Sequence, residues 1–373
     1  MHLPFKSLAV LLALFLFGLH ATRLAALDIN DGEAVVVDYQ VDDDVMVYAG
    51  GSLNVQDGAV INGEVIVEGA LVVSGGSLPG GGNDVFLKGS STSRIDGGVI
   101  DSSGLGKFRI QEDAVLEVNG GDWSMSSLYV EDDARADFKD GTYDFVSLFF
   151  QDDAIVTVSG GDWEVFSLYL QGRAQTTLEG GTFLGESVYF QGQSSSIVSG
   201  GEFLLGGSFF FQGSSNQEIT GGLFSSNDSS AAAFVFRQES TTLIKGGTFL
   251  AAIDVFVVSQ NGVVEITGGN LSSIVNVGGT GGVVRLFGHS RFNYPFGTYG
   301  AGSELDGAAV TGQLFSGEEI SVAGVSIDGG SVVLARLTNP ALVVPVSTMA
   351  LWQLGLLASL LGMLAWCRDR KFG

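Results

Sequence analysis

The chain has 373 residues, of which 56 are glycine and only 5 proline, with 45% hydrophobic residues and 16% charged. Collagen is excluded because it needs glycine at every third position and abundant proline; a disordered chain is excluded by the high apolar content. The formal charge of −24 repels phosphate backbones, which argues against nucleic acid as a partner, and instead suits divalent cations, cationic partners or simple solubility.

Residues 1–26 read as a secretory signal peptide. Lys6 precedes an apolar run from Leu8 to Leu19, and the small residues Ala25 and Ala26 mark the cleavage end. The run is too short to span a bilayer comfortably. With both ends of the chain set aside, the body carries 12 basic residues against 40 acidic ones. Cys367 is the only cysteine, so the exported body must be held by backbone ladders and packing without an internal disulfide.

From residue 27 to 288 one unit repeats. The pattern apolar-x-Gly-Gly-x-aromatic occurs at 118–123, 158–163, 178–183, 198–203, 219–224 and 244–249, with the variant FKDGTY at 138–143. Looser copies sit at 73–78, 95–100 and 266–271, and the segment 27–51 reads as an N-terminal coil or cap. A second signal runs in phase: SLYV, SLFF, SLYL, SVYF and SFFF at 127–130, 147–150, 167–170, 187–190 and 208–211, followed by Glu131, Gln151, Gln171, Gln191 and Gln212. Gln111 fits the same register.

The period is 20 residues between Gly120 and Gly200 and loosens afterwards. Leucine-rich repeats share that period but not the pattern, and helical repeats need longer periods and helix formers. The expected fold is therefore all-β: a right-handed, single-stranded parallel β-helix (a β-solenoid) of two or three short strands per coil. About thirteen coils at the spacing of paired strands would make a rod on the order of 60 Å long.

Each slot has an expected mechanical role. Gly-Gly turns a corner with positive φ. The aromatics that follow (Trp123, Tyr143, Trp163, Phe183, Phe203, Phe224, Phe249) stack inside as a ladder. In SLYL, Leu168 and Leu170 face in while Ser167 and Tyr169 face out, so residues 129, 149, 169, 189 and 210 form a second, exposed aromatic stripe. The Gln series forms an amide ladder along a turn.

Residues 289–340 lose the pattern and read as an irregular β cap closing the open end. Residues 341–348 form a linker. Residues 349–367 are long and apolar enough for one transmembrane helix, and 368–373 form a basic tail kept on the cytoplasmic side.

The chain's end resembles a known class of sorting signal. Val344, Pro345, Ser347, Thr348, Met349 and Trp352, then the apolar span and Arg368, Arg370 and Lys371, are similar to the tripartite tails of the PEP-CTERM and IPTL-CTERM class. Ser347 stands where that signature has proline, and no Pro-Glu-Pro occurs. The resemblance implies a Gram-negative envelope, an exosortase-like processing enzyme as partner, and membrane anchoring before processing. The run from Leu305 to Leu337 also resembles the closing segment of secreted bacterial β-helix proteins with such tails.

Parallel β-helices also include polysaccharide lyases and hydrolases, whose sites need carboxylates converging with His, Lys or Arg. His289 is the only histidine of the body, and Lys and Arg fall out of register. The acid pairs do keep register: Glu112-Asp113, Asp132-Asp133 and Asp152-Asp153 recur 20 residues apart. Stacked coils would bring Asp132, Asp133, Asp152 and Asp153 near one another, where Ca²⁺ could relieve the repulsion; solvated turn acids are the simpler alternative. No other cofactor and no catalytic constellation is expected. The functional expectation is an exported envelope or cell-surface protein with a structural, adhesive or biofilm-matrix role. Its expected partners are extracellular polysaccharide or other surface proteins. The alternative is a β-helix enzyme acting on an acidic polysaccharide.

Overall fold

The computed structural model describes residues 26–78, 82–101, 105–226, 234–251, 254–271, 274–290 and 292–337. The signal peptide up to residue 25, the linker, the apolar span and the sorting motif lie outside the described residues. Those described are all-β and wind as a parallel β-solenoid with coils of about 20 residues. They fall into two compact units: one runs to Tyr189 and includes Gly201–Gly206, the other comprises Phe190–Gly200 and the chain from Gly207.

In the first unit, eight short strands pair in parallel, each one coil beyond the last. They are Ala34–Val37, Ser52–Val55, Ala70–Val73, Thr92–Ile95, Val115–Val118, Arg135–Phe138, Ile155–Val158 and Gln175–Leu178. Two further parallel faces complete each coil. From Asp122 onward they fuse into nine-residue strands, Asp122–Val130, Thr142–Phe150 and Asp162–Leu170. Register holds across both halves of these strands but skips Ser126, Val146 and Phe166, where the chain bends from one face to the next. Val146 and Phe166 are therefore thrust outward, 58% and 61% exposed.

Alternation fills the interior, because side chains in a strand point to opposite faces in turn. Trp123, Tyr143, Trp163, Phe183 and Phe203 are all buried. Tyr143 and Trp163 stack with centroids 3.7 Å apart, Trp163 and Phe183 at 5.5 Å, and Phe183 and Phe203 at 4.7 Å. Each such ring contributes roughly 2–3 kcal/mol through the area it removes from water.

The two glycines of the corner do different jobs. Gly161 has φ +90°, and a Cβ there would stand 2.8 Å from the Tyr143 ring. Gly180 has no left-handed φ, but its Cβ would lie 2.4 Å from the Ser159 carbonyl oxygen of the preceding coil. One glycine is required by conformation, the other by the closeness of coils.

The segment 27–51 is one regular coil and the start of the next. Leu27–Ile29 pairs with Val45–Val47, and Ala34–Val37 with Ser52–Val55.

In the second unit, Ser195–Val198, Asn216–Ile219, Thr241–Ile244, Val263–Ile266, Val283–Gly288 and Ser331–Arg336 pair in parallel. Phe224 and Phe249 continue the aromatic slot, stacked at 4.9 Å. The expected cap at 289–340 divides. Val325–Asp328 and Ser331–Arg336 make a further coil in register with Val275–Gly278 and Val283–Gly288. Gly329 turns its corner with φ +82°. Only the inserted stretch leaves the repeat: Gly297–Tyr299 runs antiparallel along Val332–Leu334, and Val310–Gln313 pairs with Glu319–Val322 as a hairpin. An antiparallel neighbour uses up edge groups that would otherwise template another strand.

Candidate functional site

The acid pairs sit at the turn leading into each short strand. Glu112, Asp132 and Asp152 have φ of 59°, 57° and 58°, and Gly172 fills the same slot with φ 69°. The slot is thus a left-handed turn position, which Asp tolerates better than most residues. The acids also do local work there. Asp132 Oδ2 accepts from the Glu112 backbone N–H at 3.0 Å, and Glu112 Oε2 accepts from the Gly89 N–H at 2.9 Å. Gln238 plays the same part for Gly213 in the second unit, at 2.6 Å.

Asp153 faces Arg173 one coil on, in a two-pronged contact: Arg173 Nε donates to Oδ1 at 2.6 Å, and Nη2 to Oδ2. That hydrogen bonding holds the Asp153 carboxyl below the usual carboxylate range. Asp133 lies exposed beside them. Among the described residues, no group of three or more His, Cys, Asp or Glu side chains is placed to hold a metal ion. The four acids of the expected calcium stripe are neighbours in register, with Asp132 and Asp153 engaged by protein groups.

The amide ladder is present with an unforeseen centre. Glu131 replaces glutamine in the series and is only 7% exposed. Its carboxylate accepts from Gln111 Nε2 at 2.6 Å, from Arg109 Nη1 at 2.9 Å and from Gln151 Nε2 at 2.8 Å. Gln151 Oε1 accepts in turn from Gln171 Nε2 at 2.7 Å. A buried carboxylate is costly unless paired and hydrogen-bonded, and here it serves as the shared acceptor of a cationic and two amide donors.

Outside, Tyr129, Phe149, Tyr169 and Tyr189 stack in sequence at 4.7, 4.9 and 4.8 Å, each pair 7° from parallel. Arg109 covers the Tyr129 ring at 4.2 Å. Such centre spacings are smaller than a ring is wide, so the rings overlap face to face. The half-buried stripe therefore offers ring edges and phenolic oxygens to solvent, flanked by Ser127, Ser147 and Ser187.

On the neighbouring face a groove of about 410 Å³ runs across five coils. Its outer wall includes Asp101, Asp122, Asp144, Asp162 and Glu164, with Thr142 and Thr182 between them. The Thr142 hydroxyl donates to Asp122. Among the described residues, no Lys, Arg or His lines it. His289 lies in the second unit, exposed and stacked on Phe315 at 4.7 Å. The groove escaped sequence reading because its acids come from two alternating slots on several coils; the recurrence of Asp or Thr just after Gly-Gly was the available signal.

Val344, Pro345, Ser347, Thr348, Met349, Trp352, Arg368, Arg370 and Lys371 lie outside the described residues. Among the described residues, no helix is long and apolar enough to cross a membrane. No protein-family model, curated protein or solved structure matches this chain.

Proposed function

We propose that this chain is an exported β-solenoid of the bacterial cell envelope with a structural or adhesive role. In this reading residues 1–26 direct export, the right-handed winding favoured between parallel strands sets the coil, and the C-terminal tail is handled by an exosortase-like enzyme. The observation that carries it is the outer surface of the first unit. Its outward slots repeat residue type in register, Ser127, Ser147 and Ser187 beside Tyr129, Phe149, Tyr169 and Tyr189, while Ser167 of the same row, expected to face out, is buried. A repeated row of hydroxyls and ring edges suits an extended, polar partner, such as extracellular polysaccharide or another surface protein, gripped at many weak points.

Protease treatment of intact Gram-negative cells expressing the full chain tests the address. Loss of the protein without lysis is expected; complete protection would remove the envelope-surface reading. Retention of residues 346–373 in mature protein from native cells would replace processing with simple anchoring.

The acidic groove is the one feature that favours an enzyme, since it gathers carboxylates from adjacent coils. An acidic polysaccharide would be repelled by Asp122, Asp144, Asp162 and Glu164 unless a cation stood between. Turnover of pectin, alginate or glycosaminoglycans that is lost in Asp144→Asn or Asp162→Asn would favour the enzyme.

A further inference from the structure

Three successive coils of the second unit carry polar side chains where a solenoid interior is normally apolar. Ser194, Ser215 and Ser240 occupy the inward corner slot and are 1%, 1% and 0% exposed. Two residues on, Ser196, Gln217 and Thr242 form an adjoining inward column, fixed in register by their strands and 3%, 1% and 0% exposed. The backbones of the three corner serines are bonded into the coil ladder, with their carbonyls accepting from Asn216, Thr241 and Val263 N–H. Thr242 donates to Gln217 Oε1 at 3.2 Å. Among the described residues, the hydroxyls of Ser194, Ser196, Ser215 and Ser240 and the amide nitrogen of Gln217 have no protein partner.

The backbone does not demand these residues. In the first unit the same corner slot, with the same turn hydrogen bond, holds Ala114, Ala134, Ala154 and Ala174, all fully buried, and serine only at Ser91, whose buried hydroxyl is likewise bare. The column slot there takes Leu116 and Val156, with isolated buried hydroxyls at Ser93 and Thr176. Five buried polar groups gathered on three coils need partners, because each one left bare carries the full desolvation cost.

Reach explains why the partner is not a neighbouring side chain. Coils repeat at about 4.8 Å. Glutamine and glutamate are long enough to bridge that step directly, as Gln171, Gln151 and Glu131 do at 2.7 and 2.8 Å. A serine hydroxyl is too short to meet its copy one coil away.

We propose that this corner binds a file of ordered water molecules, each bridging polar groups of successive coils. The chemistry selects water over an ion. Gln217 Nε2 can only donate, so its partner must accept, which a cation cannot do. An anion would sit in an interior that is mostly aliphatic and aromatic, including the buried Phe209, Phe211, Phe234 and Phe236, and among the described residues of this unit no charged side chain is buried to offset its desolvation. Water donates and accepts, and buried water usually makes two to four such bonds.

The test is a crystal structure of the full chain at a resolution that orders internal solvent. Density about 2.8 Å from the Ser194, Ser215 and Ser240 hydroxyls and from Gln217 Nε2 is expected. Absence of density there, direct bonding among the side chains, or a peak at about 2.4 Å with cation-like oxygen coordination would overturn the proposal. The triple variant S194A/S215A/S240A gives an independent reading in the full chain. Bridged hydroxyls predict an unchanged or lower melting temperature. A rise would mean the hydroxyls were buried dry, and the proposal would fail.

Discussion

Gln151 Nε2 stands 2.8 Å from Glu131 Oε2, so that an amide on one coil donates to a carboxylate on the coil before it. Arg109 and Gln111 donate to the other oxygen of the same group. One buried acid therefore ties three successive coils, in a chain that has a single cysteine to offer. Glu131→Leu would leave Arg109, Gln111 and Gln151 without their acceptor and is expected to destabilise the fold by about 3–4 kcal/mol. Glu131→Gln restores the amide ladder but loses the Arg109 pairing, and about 1 kcal/mol is expected. Urea denaturation of the two variants, with the leucine change costing clearly more, checks this.

The corner glycine makes a separate prediction. Gly161 combines φ +90° with a ring 2.8 Å from where its Cβ would be. Gly161→Ala should cost about 2–3 kcal/mol, the left-handed conformation and the clash with Tyr143 adding together. Asp152→Gly, at a slot that Gly172 already fills one coil on, should be neutral or stabilising by up to about 1 kcal/mol. Thermal melts of both proteins read the contrast directly.

Asp153 supplies a pH dependence. Its folded-state carboxyl is held below the ordinary range by Arg173, so the pair's contribution is present above the unfolded carboxylate value and is lost as pH falls through the folded one. Its carboxylate and guanidinium are 39% and 66% exposed, which limits the effect to a few tenths of a kcal/mol. Between pH 6 and pH 3, Asp153→Asn should lose less stability than the parent protein, and the difference should shrink in high salt. A difference that persists in high salt would mean the pair is not solvent-screened.

Calcium separates the two readings of the acid stripe. With Asp153 occupied by Arg173 and Asp132 by a backbone N–H, calorimetric titration is expected to give no saturable heat and no rise in melting temperature. A calcium-dependent rise that disappears in Asp133→Asn would establish a cation stripe along that turn.

The regular coils were readable because their period is carried by two independent slots, Gly-Gly-aromatic and the glutamine that follows each SLYL-like run. Where either slot changes, the sequence signal fades although the coil persists. The strands from Ala34 to Val73 stack at an 18-residue step and turn with no aromatic after their glycines. The last coil is separated from its predecessor by the inserted residues between Gly288 and Val325, so the Gly-Gly at 329–330 looks unrelated to the series. Glu131 looks like a surface acid among glutamines, and only the stacking of Gln111 and Gln151 on either side makes it a buried acceptor. The exposure of Phe166 follows from a bend inside a strand, which alternation by itself assigns no face. Stacking geometry and close approach between coils are properties of neighbours 20 residues away, which local patterning does not encode.

The 20-residue coils of the first unit stack in register as equivalent structural units. Deleting residues 155–174 from the full chain joins Ala154 to Gln175 in the same slot and removes one coil, while deleting 155–164 removes half of one. Repeat architecture tolerates the first and not the second. Far-UV circular dichroism with thermal melting is the direct measurement. A β spectrum and a cooperative melt are expected for the whole-coil deletion, and an unfolded or aggregated protein for the half-coil deletion. Equal loss of structure in both would contradict the equivalence of the coils.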